Sequence, residues 1–139
     1  KGAIFAGITA GVLTSMCTVW VLSLLFQLTH EEYVTLLPKS ITTAIGMGFS
    51  QETGGYVTIT VAVIILTGVL GNMFCEIICK VTGITHPVAK GIAIGTSSHA
   101  IGTARAMQLG EVEGAMSGLS IVISGMITLI GAQIFAGFI

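Results

Sequence analysis

The sequence predicts an all-α, polytopic membrane bundle, and composition together with three uncharged runs leads to this fold class. Charged residues make up only 8% of the 139 residues and apolar residues make up 53%, whereas soluble proteins carry about 25% charged residues. No charged residue occurs in residues 3–28, 56–75 or 114–139. Each run reaches the roughly 18 to 20 residues that cross a hydrocarbon core as a helix. A soluble bundle is disfavoured, because its surface would need many more charges.

The first two segments are separated by a helix-start signal. The first apolar run ends at Thr29-His-Glu-Glu32, whose Thr-x-x-Glu spacing predicts a capping box at the start of the next helix. Pro38 interrupts the second segment, because proline lacks an N–H group and disfavours helical geometry in the residue before it. We therefore predict two short helices around Pro38, a pattern typical of a re-entrant segment.

Proline and glycine also divide the rest of the chain. Gly54 and Gly55 form a turn into the next span, which ends where Glu76 and Lys80 are expected to pair at i,i+4. Pro87 suits the first turn of the following helix. The predicted segments are residues 3–28, 33–51 (broken at Pro38), 56–80, 87–109 (broken near 97–101) and 113–139.

These five segments predict one transmembrane domain over residues 1–139. A polar break inside the fourth segment is typical of a discontinuous transmembrane helix, and the unit resembles one half of an inverted-repeat transporter. Because the chain begins with Lys1 and has no initiator Met, we expect it to be the C-terminal part of a longer protein. Nineteen glycines, many spaced four residues apart, predict close helix packing.

The candidate site is the polar stretch Gly91–Met107, because polar and helix-breaking residues at membrane depth usually line a path or a binding site. A half-helix starting near Gly102 would direct unpaired N–H groups into the break and favour an anion there. Hydroxyl donors, an imidazole and a guanidinium suited to a carboxylate accompany it. The substrate-binding candidates are Ser97, Ser98, His99, Thr103 and Arg105. Two of them have alternatives: His99 as a hydrogen-bonded core histidine, and Arg105 as an interfacial anchor.

A second wall of the site is predicted beside Pro38. Lys39 supplies a point charge, and the hydroxyl groups of Ser40, Thr42 and Thr43 supply hydrogen-bond donors. The alternative is a lysine at a helix end whose ammonium group extends to the membrane surface. Together with the broken segment, this wall would form a pocket for a small organic acid.

Several function classes are disfavoured by the sequence. No nucleophile triad, zinc-ligand spacing or phosphate loop is present, so we expect neither an enzyme nor a metal or cofactor site. The formal net charge of −1 offers no basic patch for nucleic acid. Cys17, Cys75 and Cys79 lie in or at the end of apolar helices and are interpreted as small buried residues.

An ordered series of motifs resembles the LrgB/CidB family. The resemblance extends over nearly the whole chain, and it implies a multi-pass protein of the bacterial inner membrane whose full length exceeds this one. The motifs are Leu37-Pro-Lys-Ser-Ile-Thr-Thr43, Thr67-Gly-Val-Leu-Gly71, His86-Pro-Val-Ala-Lys-Gly91, Gly95-Thr-Ser-Ser-His-Ala-Ile-Gly-Thr-Ala-Arg-Ala106 and Glu113-Gly-Ala-Met-Ser-Gly118.

The resemblance implies two functions. Relatives that include the plastid glycolate/glycerate carrier imply transport of small carboxylates such as pyruvate, glycolate or glycerate, and the donors at the broken helix favour this hypothesis. The alternative is an antiholin-like regulator of murein hydrolase export and autolysis. The resemblance implies a small LrgA/CidA-like membrane protein as its partner. We also expect contact with membrane lipid and assembly as a homo-oligomer.

Overall fold

The computed structural model describes residues 1–139 and consists of six helices without strands. The helices α1, α4 and α6 are long and apolar enough to cross a membrane. This confirms the all-α membrane fold, and the helix ends agree with the predicted segments to within a few residues. The helices are α1 (Gly2–Phe26), α2 (His30–Leu36), α3 (Thr43–Thr53), α4 (Val57–Val81), α5 (Pro87–Leu109) and α6 (Glu111–Ala136).

The contacts between helices define two ends of the bundle. α1 and α6 run in the same direction, since the rings of Trp20 and Phe138 lie 5.7 Å apart near their C-terminal ends. His30 lies beside the same end, with its Nδ1 2.9 Å from the carbonyl of Ile139. We call this the upper end. The lower end holds the start of α1, where Ala3 lines the same cavity as Ala89 of α5.

α2 and α3 form a hairpin, here the α2–α3 hairpin, that enters and leaves the bundle at the upper end. The predicted capping box of Thr29 and Glu32 is present at the start of α2. At the base of the hairpin the hydroxyl of Thr60 in α4 donates to the carbonyl of Thr35 at 2.9 Å and lies 2.8 Å from Ser50 Oγ. These bonds hold both arms against the start of α4 and leave the turn at Pro38 to point into the bundle.

Tyr56, the residue before α4, forms a second contact with this hairpin. Its hydroxyl donates to the Glu31 carboxylate at 2.7 Å. This hydrogen bond and the negative charge of Glu31 raise the pKa of Tyr56, because both disfavour loss of the phenolic proton.

α5 is a second hairpin, here the α5 hairpin, that enters and leaves at the lower end. Its only non-helical residue is His99, with φ 41° and ψ −137°. Gly91 in the first arm packs on Glu113 of α6, and Met107 in the second arm packs on Gly114, so residues far apart along α5 meet the same turn of α6. The discontinuity predicted near 97–101 therefore lies at one residue. The second arm returns toward the lower end instead of continuing across the bundle.

The two hairpins belong to units of opposite direction. Each unit is a helix of 25 residues followed by a hairpin. The second arm of each hairpin begins with the same tripeptide, Ala44-Ile-Gly46 in α3 and Ala100-Ile-Gly102 in α5. The two units therefore enter the bundle from opposite ends. That the whole chain forms one half of an inverted-repeat transporter stays a prediction.

Glycines allow the α5 hairpin to lie directly on its neighbours. A Cβ atom at Gly91 or Gly95 would collide with the backbone of α6 at Glu113 or Ser117. On the other side, Gly11 of α1 faces the side chain of Thr96 with no room for a methyl group. The predicted close packing at glycines is confirmed at these contacts.

Candidate functional site

A cavity of about 750 Å³ lies between α1, α4 and the first arm of α5, and it extends from the lower end to the tip of the α2–α3 hairpin. Toward the lower end its walls are small apolar side chains such as Ala3 and Ala89. Deeper in the bundle the walls become polar. The polar lining includes Ser15, Lys39, Ser40, Thr67, Ser97 and Ser98.

Lys39 is the only charged residue that lines this cavity. The turn at Pro38 places it opposite the middle of α1. Its Nζ donates to Ser15 Oγ and to Ser40 Oγ, each at 3.1 Å, and the two hydroxyl oxygens lie 3.0 Å apart. Lys39 is half-buried, and its ammonium group is held by hydroxyl groups of α1 and of the hairpin turn.

Ser97 and Ser98 bring the tip of the α5 hairpin to the same cavity. Ser97 Oγ donates to the carbonyl of Ala93 at 2.7 Å, and the Ser97 and Ser98 hydroxyl groups lie 3.1 Å apart. Ser98 packs against Gly71 of α4, where a Cβ atom could not fit. The structure therefore brings together four predicted residues, Lys39 and Ser40 from one hairpin and Ser97 and Ser98 from the other.

His99 is buried against α4 and does not line the cavity. Its Nε2 lies 2.9 Å from the carbonyl of Ile64, and its ring packs over Gly68. This geometry is that of the hydrogen-bonded core histidine, the alternative open from the sequence. The start of the second arm also faces α4, since Asn72 Nδ2 donates to the carbonyl of Ile101 at 2.7 Å. The half-helix N-terminus predicted near Gly102 as an anion site thus lies outside the cavity.

Arg105 forms a salt bridge with Glu76 of α4 and donates to Gln108 at 2.7 Å. The predicted pairing of Glu76 with Lys80 is wrong, because the second arm of α5 returns alongside α4 and presents a guanidinium group to the carboxylate. Arg105 is one-third to one-half exposed and lies outside the cavity. Its predicted partner, a substrate carboxylate, is replaced here by a carboxylate of the protein.

The other predicted site residues also lie outside the cavity. Thr103 Oγ1 donates to the carbonyl of His99 at 2.9 Å and lies 2.6 Å from Ser117 Oγ, so it joins the α5 hairpin to α6. Thr42 is the residue before α3 and Thr43 begins it. Binding of a substrate by any predicted residue stays a prediction.

Sequence reasoning did not include α1 in the site, although Ser15 contacts Lys39 directly. A signal was present in the sequence. Gly7, Gly11, Thr14, Ser15 and Thr18 are small or hydroxylated residues spaced three or four apart within an apolar run, and all of them line the cavity. This spacing places them along one helix face.

The fold is that of a multi-pass membrane protein. It has three apolar helices and two hairpins, and the tips of both hairpins line one polar cavity. The family model described as LrgB-like matches residues 2–138. The chain belongs to the LrgB-like family, which confirms the resemblance seen in the motifs.

Curated relatives agree with this family. The chain is similar to the holin-like protein CidB of Staphylococcus epidermidis, with 37% identity over 125 residues, 90% of this chain and 55% of the relative. It is similar to the antiholin-like protein LrgB of Bacillus subtilis, with 34% identity over 136 residues, 98% of this chain and 59% of the relative. The CidB protein of Staphylococcus aureus is 35% identical over 125 residues, 90% of this chain and 55% of the relative.

The chain spans 55% to 59% of the length of these relatives. No solved structure matches the chain.

Proposed function

We propose that this chain forms the membrane core of an antiholin-like regulator of murein hydrolase export and autolysis in the bacterial inner membrane. One observation supports this function above the others. Relatives named holin-like and antiholin-like match 90% to 98% of the chain. The proposal includes a small LrgA/CidA-like membrane partner, and it includes no enzymatic reaction.

The surface of α6 is suited to packing within a membrane. Val122, Met126, Ile130 and Ile134 are each at least 61% exposed and follow one another at four-residue intervals. Such a stripe faces lipid or other helices, including those of a partner or of a second copy.

The test uses the full-length protein and its small partner in a Gram-positive host that lacks both. Expression of the pair is expected to lower extracellular murein hydrolase activity in zymograms and to slow autolysis followed by turbidity. The controls are each protein alone and an empty vector. Unchanged hydrolase activity and lysis, with both proteins present in the membrane fraction, would reject the regulatory function.

A second candidate function is favoured by the cavity. A carrier for small carboxylates, or a subunit of one, needs a polar site reachable through the bundle. A single lysine surrounded by hydroxyl groups at the end of a 750 Å³ cavity supports such a site. Carriers commonly place their binding sites where broken helices meet near the middle of the membrane.

Uptake into proteoliposomes tests the carrier. Full-length protein, alone and with the small partner, is reconstituted and supplied with radiolabelled pyruvate, glycolate or glycerate. Saturable uptake above protein-free liposomes is expected, and uptake indistinguishable from those liposomes in both preparations would exclude transport. Autolysis is measured separately, so the two functions can succeed or fail independently.

A further inference from the structure

Lys39 is a cation inside a membrane bundle, and no acidic side chain of the chain is its partner. The only salt bridge joins Arg105 and Glu76. The remaining acids lie at the two ends of the bundle. Glu31, Glu32 and Glu52 are at the upper ends of α2 and α3, and Glu111 and Glu113 are in the first turn of α6 at the lower end.

An unpaired charge at this position is costly. Ionised groups within membrane segments are almost always paired or face a water-filled cavity, because hydrocarbon does not solvate them. Lys39 faces a cavity that is open to the lower end and meets only hydroxyl groups there. Within this chain no carboxylate neutralises the charge, which leaves it free to attract a small negative ion.

Some hydrogen-bond donors at the tip of the α2–α3 hairpin remain free. The ammonium group of Lys39 has three N–H donors, and two of them are used on Ser15 Oγ and Ser40 Oγ. Only one of these two hydroxyl groups can donate to the other. One N–H and one O–H therefore remain unused. Both remaining groups are donors, which suit an anion and not a cation.

The cavity wall formed by the first arm of α5 adds polar groups without adding negative charge. Ser97 and Ser98 line the cavity, and their side chains contact each other and the carbonyl of Ala93. Thr96, which lines the same cavity, has a buried hydroxyl group with no hydrogen-bond partner. Nothing on this wall competes with an external anion for Lys39.

We propose that Lys39, with the hydroxyl groups of Ser15 and Ser40, binds a small monovalent anion between the two hairpin tips. The single positive charge matches a single negative charge, and the ligand is an organic carboxylate or an inorganic anion of the same charge. Arg105 takes no part in this binding, since its guanidinium group is bound to Glu76. The inference deepens the carrier function and rests on its cavity, but it holds equally if the bound anion only regulates the protein.

The experiment detects binding through its effect on thermal stability. Full-length protein in detergent is heated with sodium pyruvate, sodium bromide or sodium phosphate, at constant ionic strength set with sodium sulfate, whose anion is divalent and lies outside the proposed ligand class. A ligand that binds only the folded state stabilises it by RT ln(1 + [L]/Kd), so the unfolding midpoint rises with the logarithm of the ligand concentration above Kd. Pyruvate or bromide, or both, is expected to raise the midpoint with this logarithmic dependence on concentration. Phosphate, which is partly divalent, is expected to act more weakly.

The variant Lys39→Met is expected to weaken the apparent affinity tenfold or more, because it removes a charge-assisted hydrogen bond. Lys39→Arg keeps the charge and is expected to retain part of the shift. The matched control is Lys80→Met, which removes the same charge from an exposed position in the last turn of α4. It is expected to bind like the unchanged protein.

Each outcome decides the proposal. An equal shift in Lys39→Met and the unchanged protein would overturn it, as would the absence of a shift with every probe. If Lys39→Met does not fold, Ser15→Ala replaces it and is expected to weaken binding several-fold, and unaltered binding would count against the site. A shift with bromide alone identifies an inorganic anion and removes the carboxylate, while the autolysis assay still judges the regulatory function by itself.

Discussion

The two hairpins occupy equivalent places in opposite units, yet their tips are built differently. The α2–α3 hairpin turns through the six residues 37–42 between its helices, and this open turn presents Lys39 and Ser40 to the cavity. The α5 hairpin turns at the single residue His99, whose φ of 41° is rarely adopted by non-glycine residues. A wide turn can display a charge, whereas a tight turn buries its central side chain against α4.

The hairpins are also held differently. The α2–α3 hairpin is tied at its base by hydroxyl groups, and its tip contacts the middle of α1. The α5 hairpin is fixed along its whole length by glycines that lie against α6 and α4. We therefore expect the α5 hairpin to tolerate few substitutions in its interior and the tip of the α2–α3 hairpin to tolerate more.

The largest effect is expected at the glycine contact of the α5 hairpin. Gly95→Ala places a methyl group against the backbone of Ser117, which cannot move away without shifting α6. The free energy of unfolding is expected to fall by about 1–3 kcal/mol, as in other overpacked interiors. Unfolding by denaturant in detergent, followed by circular dichroism, measures it.

The matched control for this variant is Gly118→Ala on α6, where an added Cβ atom meets nothing within 4 Å. It is expected to be neutral or to stabilise the protein by about 0.5–1 kcal/mol, because alanine restricts the unfolded chain. Equal destabilisation by both variants would show that glycine contacts do not hold this hairpin.

A somewhat smaller effect is expected at the tip. His99→Ala removes the hydrogen bond to Ile64 and keeps a side chain at positive φ, so stability is expected to fall by about 1–2 kcal/mol. Thr43 directly precedes the shared tripeptide in the α2–α3 hairpin, as His99 does in the α5 hairpin, and serves as the comparison for His99. Thr43→Ala is expected to change stability by less than about 0.5 kcal/mol. A larger loss from Thr43→Ala than from His99→Ala would reverse the comparison between the tips.

The smallest effect is expected at Arg105 and Glu76. A double-mutant cycle with Arg105→Gln and Glu76→Gln is expected to give a coupling free energy of about 0.5–1 kcal/mol. The value is small because the side chains are 39% and 33% exposed. The cycle of Glu76→Gln with Lys80→Gln is the control and is expected to show no coupling. Coupling of Glu76 to Lys80 instead would mean that the second arm does not return alongside α4.

Much of the fold could be predicted because the signals are local. Uncharged runs placed α1, α4 and α6, the Thr29 capping box placed the start of α2, and Pro38 placed the first turn. The site was predicted only in part. Ser97 and Ser98 reach the cavity, but His99 and Arg105 face α4, since a turn at one residue rotates the following arm away from the cavity.

The sequence by itself determined the membrane class, the family motifs and the two places where helices are interrupted, because hydrophobic length, proline and capping act within a few residues. Only the tertiary structure decided that α5 reverses at His99, that the two hairpins enter from opposite ends, and that Ser15 of α1 meets Lys39. These features depend on contacts between residues distant along the chain. The partner of a charge, such as Glu76 for Arg105, is likewise set by which helices become neighbours.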